Sequence, residues 1–261
     1  MTLSYLNILL GLLLLVVPGY LLYAYDRLSL QKAALAVVRM LGQMALMGGC
    51  LWLLFRYDSV WLCLLWLLLL VVAAAFMLVS RTHIRSRVLF LPACVGMFVS
   101  VLAVSAYLLL VVLRPAAPMS ARWFVPLSGV LMAHVLITNI QGIRTYFDSL
   151  RQDSQPYYTL LGNGASRLQA LSPYITRALR SLTVPALANL SVMGLFVLPM
   201  LLSGLLLGGM SPMAAVSLFV VLVVASLAVS MLSVALILLL ADRRVFNRQG
   251  QFIGFAEADN S

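Results

Sequence analysis

The chain has 261 residues, of which 64% are hydrophobic and 9% charged, leaving too little polar surface for a soluble domain of this size. Its formal net charge of +10 would suit nucleic acid or an acidic lipid surface, but the basic residues lie between long apolar runs, where such charges set membrane topology. A soluble enzyme and a nucleic-acid-binding domain are both excluded.

Read in chain order, apolar runs of about 20 residues recur, the length needed to cross a hydrocarbon core of roughly 30 Å. About seven are predicted as membrane-spanning helices: 4–23, 36–55, 60–79, 88–113, 124–140, 186–208 and 214–241. Helix is required because lipid offers no partner to unpaired backbone groups, and the alternation of an outer-membrane barrel is absent. The first run has no basic residue before it and ends in Pro18-Gly19-Tyr20, so it is expected to be a retained helix and not a signal peptide. A short amphipathic approach at 26–35 leads into the second span. The fifth run is the most polar, with Ser128, His134, Thr138 and Asn139. Short connections are expected at 56–60, 114–122 and 208–213, a compact basic turn at 81–87, and one long polar stretch at 141–185.

Placing the N-terminus outside puts most of the 17 basic residues on the inner side, from Arg27 and Lys32 through Arg85, Arg151 and Arg180 to Arg248. Only Arg56, Arg114 and Arg122 then lie outside, with Arg39 inside the second span. The positive-inside rule selects this orientation. The expected fold class is an all-α polytopic membrane protein, N-terminus outside and C-terminus inside. It is one transmembrane domain, 1–261, with 141–185 as a cytoplasmic segment within it.

That segment has a local grammar. Pro156 opens Tyr157-Tyr158-Thr159-Leu160-Leu161, which runs into Gly162-Asn163-Gly164. Glycine there takes the left-handed conformation that ends a helix. Ser166 followed by Gln169 is a capping-box pattern for a new helix. The reading is helix, glycine turn, second helix, with Leu161, Leu168 and Leu171 as apolar contacts. Two uses fit it: a knob for a soluble partner, or a hairpin lying on lipid headgroups.

The chemistry inside the spans is sparse. Cys50, Cys63 and Cys94 sit in apolar runs at unrelated spacings and act as small apolar residues. The carboxylates Asp26, Asp58, Asp148, Asp153, Asp242, Glu257 and Asp259 all fall at span ends or in loops. No acidic relay of a proton-driven transporter is therefore present. His134 has two readings, a metal ligand helped by Met132 or a thiol, and a packing histidine bonded to a neighbouring helix. Arg39 and Gln43 hold an anionic group or snorkel to the interface. Ser226, Ser230 and Ser233 share a helix face, as do Ala188, Ser191 and Gly194, which suits close packing or a substrate path. Pro199 with Gly194 marks a fixed kink or a hinge. There is no GxxxxGK[ST] motif, and Lys32 is the only lysine, so the chain has no P-loop of its own.

Over 28–248 the chain resembles the FetB-like permease subunits of the Fet-type iron-export ABC transporters. The resemblance is carried by Gly164-Ala165-Ser166 with Gln169-Ala170, then Arg180, Pro185, Gly194-Leu195, Leu198-Pro199, Ser203-Gly204 and Pro212. Arg39, Gln43, Gly48, Pro126 and Gly129 extend it upstream. The resemblance implies a plasma- (inner-) membrane permease, itself no enzyme, that exports a metal ion, iron first. It implies a homodimer of permeases in lipid, joined to a separate ABC ATP-binding subunit. ATP and Mg are used there, and this chain binds no cofactor. Coupling is assigned to Thr159, Leu160, Leu161, Gly162, Gly164, Ala165, Ser166 and Gln169. His134, Asn139, Asn189 and Ser191 are assigned to the substrate path, with His134 as metal ligand and Gly194 and Pro199 as hinge. The chain departs from the family at Thr159, His134, Ala188 and Ser191, which leaves two other functions open: a permease for a lipid or small organic molecule, and a membrane scaffold without transport.

Overall fold

The computed structural model describes residues 13, 16, 20, 27–82, 86–117, 119–196, 204–206 and 208–245. The chain divides into two compact units, Met1–Tyr57 and Asp58–Ser261. Among the described residues every element is helical, and five helices are long and apolar enough to cross a membrane. The protein is a multi-pass membrane protein, all-helical over its described residues. The expected first span and the second half of the sixth fall largely outside the described residues.

In the first unit, helix α1 spans Arg27–Tyr57 without a break. The expected approach at 26–35 is therefore, from Arg27 on, the first turns of the spanning helix itself. Its window Leu35–Tyr57 is apolar enough to cross. Near its end the Arg56 guanidinium lies 5.0 Å over the Trp52 ring, a cation–π contact suited to an interface.

The second unit is a helix bundle. α2 covers Val60–Thr82 and buries Cys63, Leu67, Val71, Ala74, Ala75 and Leu78, a stripe at helical spacing. α3 covers Ser86–Tyr107 and passes into a π-helical turn, Leu108–Leu113. Arg114 ends that turn in the left-handed region, φ +43°, with its N–H on the Leu109 carbonyl at 3.1 Å. α4 covers Ala121–Gln152, α5 Gln155–Gly162, α6 Arg167–Phe196 and α7 Pro212–Val245. α7 packs along α3, α4 and α6, while α2 packs on α3 and α4. Gly96 of α3 lies close against Ile237 of α7. A Cβ on Gly96 would lie 3.1 Å from the Ile237 nitrogen and 2.4 Å from its Cγ1.

The expected end of the fifth span at 140 is corrected: α4 continues to Gln152. Polar Gln141, Arg144 and Asp148, which open the expected polar stretch, lie on its exposed side. Gly142, Ile143, Tyr146, Phe147 and Leu150 are buried on the other side, so the same helical stripe continues beyond the apolar run. α6 likewise crosses Pro185 without a break.

Candidate functional site

The segment between α4 and α6 forms as its local sequence dictates. Pro156 sits in the first turn of α5, where its missing N–H costs no helix bond. At the other end, the Ala165 N–H reaches the Leu160 carbonyl and the Gly164 N–H the Leu161 carbonyl, both at 3.0 Å. Gly164 has φ +84°. This is a Schellman ending, and only glycine takes that backbone conformation without strain. The Ser166 N–H then donates to Gln169 Oε1 at 2.9 Å, and the Gln169 N–H to Ser166 Oγ at 3.4 Å. Both arms of the capping box are made, and α6 starts at Arg167.

Buried aromatic groups hold this hairpin to the bundle. Tyr157 of α5 and Tyr174 of α6 are each 1% exposed. The Tyr174 hydroxyl donates to the Asp153 carbonyl at 2.7 Å, fixing the end of α4 to α6. Burial pushes both phenols above their ordinary pKa, with Arg167 opposing the rise at Tyr157 and the Tyr157 backbone opposing it at Tyr174. Both phenols therefore remain protonated near neutral pH. Arg167 binds the last turn of α7 through the Asp242 backbone carbonyl and, at 3.2 Å, its carboxylate. Tyr146 and Phe147 meet edge to face, centroids 5.1 Å apart, on the buried side of α4.

The outer face of the hairpin is open. Tyr158, Thr159, Gly162, Asn163, Gly164, Ser166 and Gln169 are exposed, and Leu160, Leu161 and Ala165 are half-buried. Of the expected apolar contacts, Leu171 is buried but Leu168 is 58% exposed. Leu168 faces outward because the face of α6 packed on the bundle runs through Ala170, Leu171, Tyr174 and Ala178.

A polar layer lies at mid-height in the bundle. The Asn139 amide of α4 donates to Ser233 Oγ of α7 at 2.8 Å, and both residues are fully buried. One turn away, half-buried His134 lines a small cavity with Thr138, Thr183, Ser230 and Met231. The structure thus brings together, from three helices, residues that the sequence presented separately. His134 and Asn139 differ in surroundings, since His134 faces α6 and α7 across the cavity while Asn139 is bonded to Ser233. Among the described residues no three His, Cys, Asp or Glu side chains cluster.

Asn189, Ser191 and Gly194 lie on the last turns of α6, where their side chains are outside the described residues, and Pro199 lies outside them altogether. Sequence reasoning missed Thr183, Met231 and the Arg167–Asp242 pair, and it left Ser230 with two readings, close packing or a substrate path. Asp242 did carry a signal: it is a lone carboxylate ending an apolar run, directly before Arg243-Arg244.

Residues 5–246 match the uncharacterised protein family UPF0014. A UPF0014 membrane protein of Synechocystis is 26% identical, over 81% of this chain and 82% of its own. The Arabidopsis thaliana protein named ALUMINUM SENSITIVE 3 is 26% identical, over 80% of this chain and 76% of its own. An Escherichia coli protein named "Probable iron export permease protein FetB" is 24% identical, over 92% of each chain. No solved structure matches.

Proposed function

The chain belongs to the UPF0014 family, and from that premise we propose that it is the membrane-spanning permease subunit of an ABC transporter. Its cargo is a metal ion, iron first, leaving the cell. ATP and Mg are used by a separate ATP-binding subunit, and two permease copies assemble in the plasma membrane. The observation that carries this reading is the hairpin at 155–169: a short helix closed by a Schellman turn and a complete capping box, open on one face and anchored on the other. A rigid knob tied to three helices can pass force into the bundle, whereas a loose loop would absorb it. The name of the Escherichia coli relative supports the cargo class.

In this mechanism Thr159, Leu160, Leu161, Gly162, Gly164, Ala165, Ser166 and Gln169 form the docking face. Closure of the ATPase pair pushes α5. Tyr157, Tyr174 and Arg167 carry that displacement to α4, α6 and α7, and the helices rock between inward- and outward-open arrangements. Copurification of the chain from detergent, followed by an ATPase assay of the complex, tests the reading. An ATP-binding subunit should copurify, and Gly164→Pro or Ala165→Asp should abolish ATPase stimulation while membrane insertion stays normal. Normal stimulation in both variants moves the docking site elsewhere, and absence of any ATP-binding partner overturns the reading. Cells lacking the protein should accumulate iron; unchanged iron, zinc and manganese would remove the metal cargo.

A further inference from the structure

We propose that the groove between the first turns of α4 and α7 is a phospholipid site, holding one acyl chain along its length and the headgroup phosphate at Arg122. The proposal does not depend on the permease reading and concerns the end of the bundle opposite the hairpin.

The groove has a volume of about 360 Å³, within the range of roughly 300–1,000 Å³ for small-molecule sites. Leu127 and Val130 of α4, Leu218 and Leu222 of α7, Leu113 at the end of the π-helical turn and Leu205 supply apolar walls. Arg122 is its one charged lining residue, with Trp123 beside it. The order along α4 decides what fits. Arg122 is the second residue of that helix and Val130 lies eight residues on, about 12 Å deeper along the axis at 1.5 Å per residue. The groove thus runs from a cation and an indole at the end of a spanning helix to aliphatic side chains within the span. Arginine and tryptophan are at home at headgroup level, and an acyl chain joined to a phosphate has the same polarity in the same direction. Trp123 is 39% and Val130 43% exposed, so a chain can enter from the side.

Charge selects a lipid over another protein segment. Arg122 makes no ion pair among the described residues. Of the seven carboxylates, Asp58 alone shares this end, and it is engaged by the Ala121 N–H at 2.6 Å. Asp148, Asp153 and Asp242 lie at the far ends of α4 and α7, and Glu257 and Asp259 follow that end of α7 in sequence. Asp26 precedes α1, at the end away from Asp58, and residues 4–23 contain no carboxylate. Neither those residues nor a second copy in the same orientation brings a free carboxylate to Arg122, whereas lipid phosphate is present at that level throughout the membrane.

The test uses the full chain in dodecylmaltoside, titrated with palmitoyl-oleoyl phosphatidylglycerol alone and read by native mass spectrometry. One lipid should bind tightly per chain, and the neutral diacylglycerol with the same chains, which lacks the phosphate, about fivefold more weakly. Arg122→Gln should weaken phosphatidylglycerol about fivefold and leave diacylglycerol unchanged. Val130→Trp, which fills the inner end of the groove, should weaken both; should it fail to fold, Arg122→Gln, at an exposed position, still decides. Arg180→Gln removes the same charge at the hairpin end and should change neither. Equal losses in Arg122→Gln and Arg180→Gln, equal binding of the two lipids by the wild type, or unchanged phosphatidylglycerol binding in Arg122→Gln overturns the site. Loss of a dimer in Val130→Trp with unaltered lipid binding would assign the groove to a second copy and likewise overturn it.

Discussion

Arg167 at the start of α6 and Asp242 in the last turn of α7 stand 3.2 Å apart across 75 residues of chain. The guanidinium also takes the Asp242 backbone carbonyl, so one side chain both pairs a charge and caps a helix end. The hairpin helix α5 leads directly into α6, and through this contact its base is tied to α7.

Breaking that tie should loosen the hairpin without unfolding the bundle. The Arg167 side chain is 32% exposed and that of Asp242 15%, between exposed pairs, whose loss costs little, and buried pairs, where removing one partner costs several kcal/mol. Asp242→Asn is expected to cost about 1 kcal/mol and Arg167→Ala about 1–2 kcal/mol, read as the thermal midpoint in detergent. The exchange Arg167→Asp with Asp242→Arg should recover part of the loss. No recovery would show that packing, not charge, holds the contact.

The hairpin's two turns make separate predictions. Ser166→Ala removes one arm of the capping box and should cost about 1 kcal/mol. Gly164→Ala forces a Cβ into the left-handed region and should cost about 1–2 kcal/mol, with Gly164→Asn milder. Hydrogen exchange of the amides at 163–170 reads both. Unchanged protection in Gly164→Ala would contradict the positive φ.

Gly96 and Gly129 form an internal comparison. A methyl group on Gly96 would clash with Ile237, whereas one on Gly129 meets nothing within 4 Å. Gly96→Ala should destabilise by about 1–3 kcal/mol through overpacking. Gly129→Ala should be neutral, or stabilising by about 0.5–1 kcal/mol through restricted backbone entropy. Thermal midpoints of the two single variants check this, and equal midpoints would refute the close approach of α3 and α7.

Asp58 caps α4 from another part of the chain. Its carboxylate accepts the Ala121 N–H at 2.6 Å across 63 residues, while the adjacent Ser120 makes no side-chain cap. Asp58→Ala should cost about 0.5–2 kcal/mol, Asp58→Asn less, and Ser120→Ala little. A larger loss for Ser120→Ala than for Asp58→Ala would reverse the assignment.

The buried pair Asn139–Ser233 joins α4 to α7 across 94 residues. Ser233→Ala leaves the Asn139 amide without that acceptor and should cost about 1 kcal/mol, within the range for interhelical hydrogen bonds in membranes. Replacing both by apolar residues of similar volume should recover most of it, as measured by unfolding in detergent mixtures.

Several elements could be read before any folding was known. The multi-pass helical class followed from runs such as 60–79 and 214–241, since burial in lipid depends on composition summed over about 20 residues. The hairpin followed from Pro156, Gly164, Ser166 and Gln169, because caps and Schellman turns are made within a few residues of chain. The length of α4 did not follow. Its last turns are polar on one side, and only their packing through Tyr146 and Leu150 shows them to be helix.

Membrane residence, helix content and the shape of the knob are thus properties of neighbouring residues, and the amino-acid order determined them unaided. Which polar groups meet was decided by the fold: Arg167 with Asp242, Asp58 with Ala121, and His134 with Thr183, Ser230 and Met231. Successive residues on a helix point about 100° apart, so these meetings depend on how each helix is rotated about its own axis. That rotation is set by contacts such as Gly96 against Ile237, which join residues far apart in the chain.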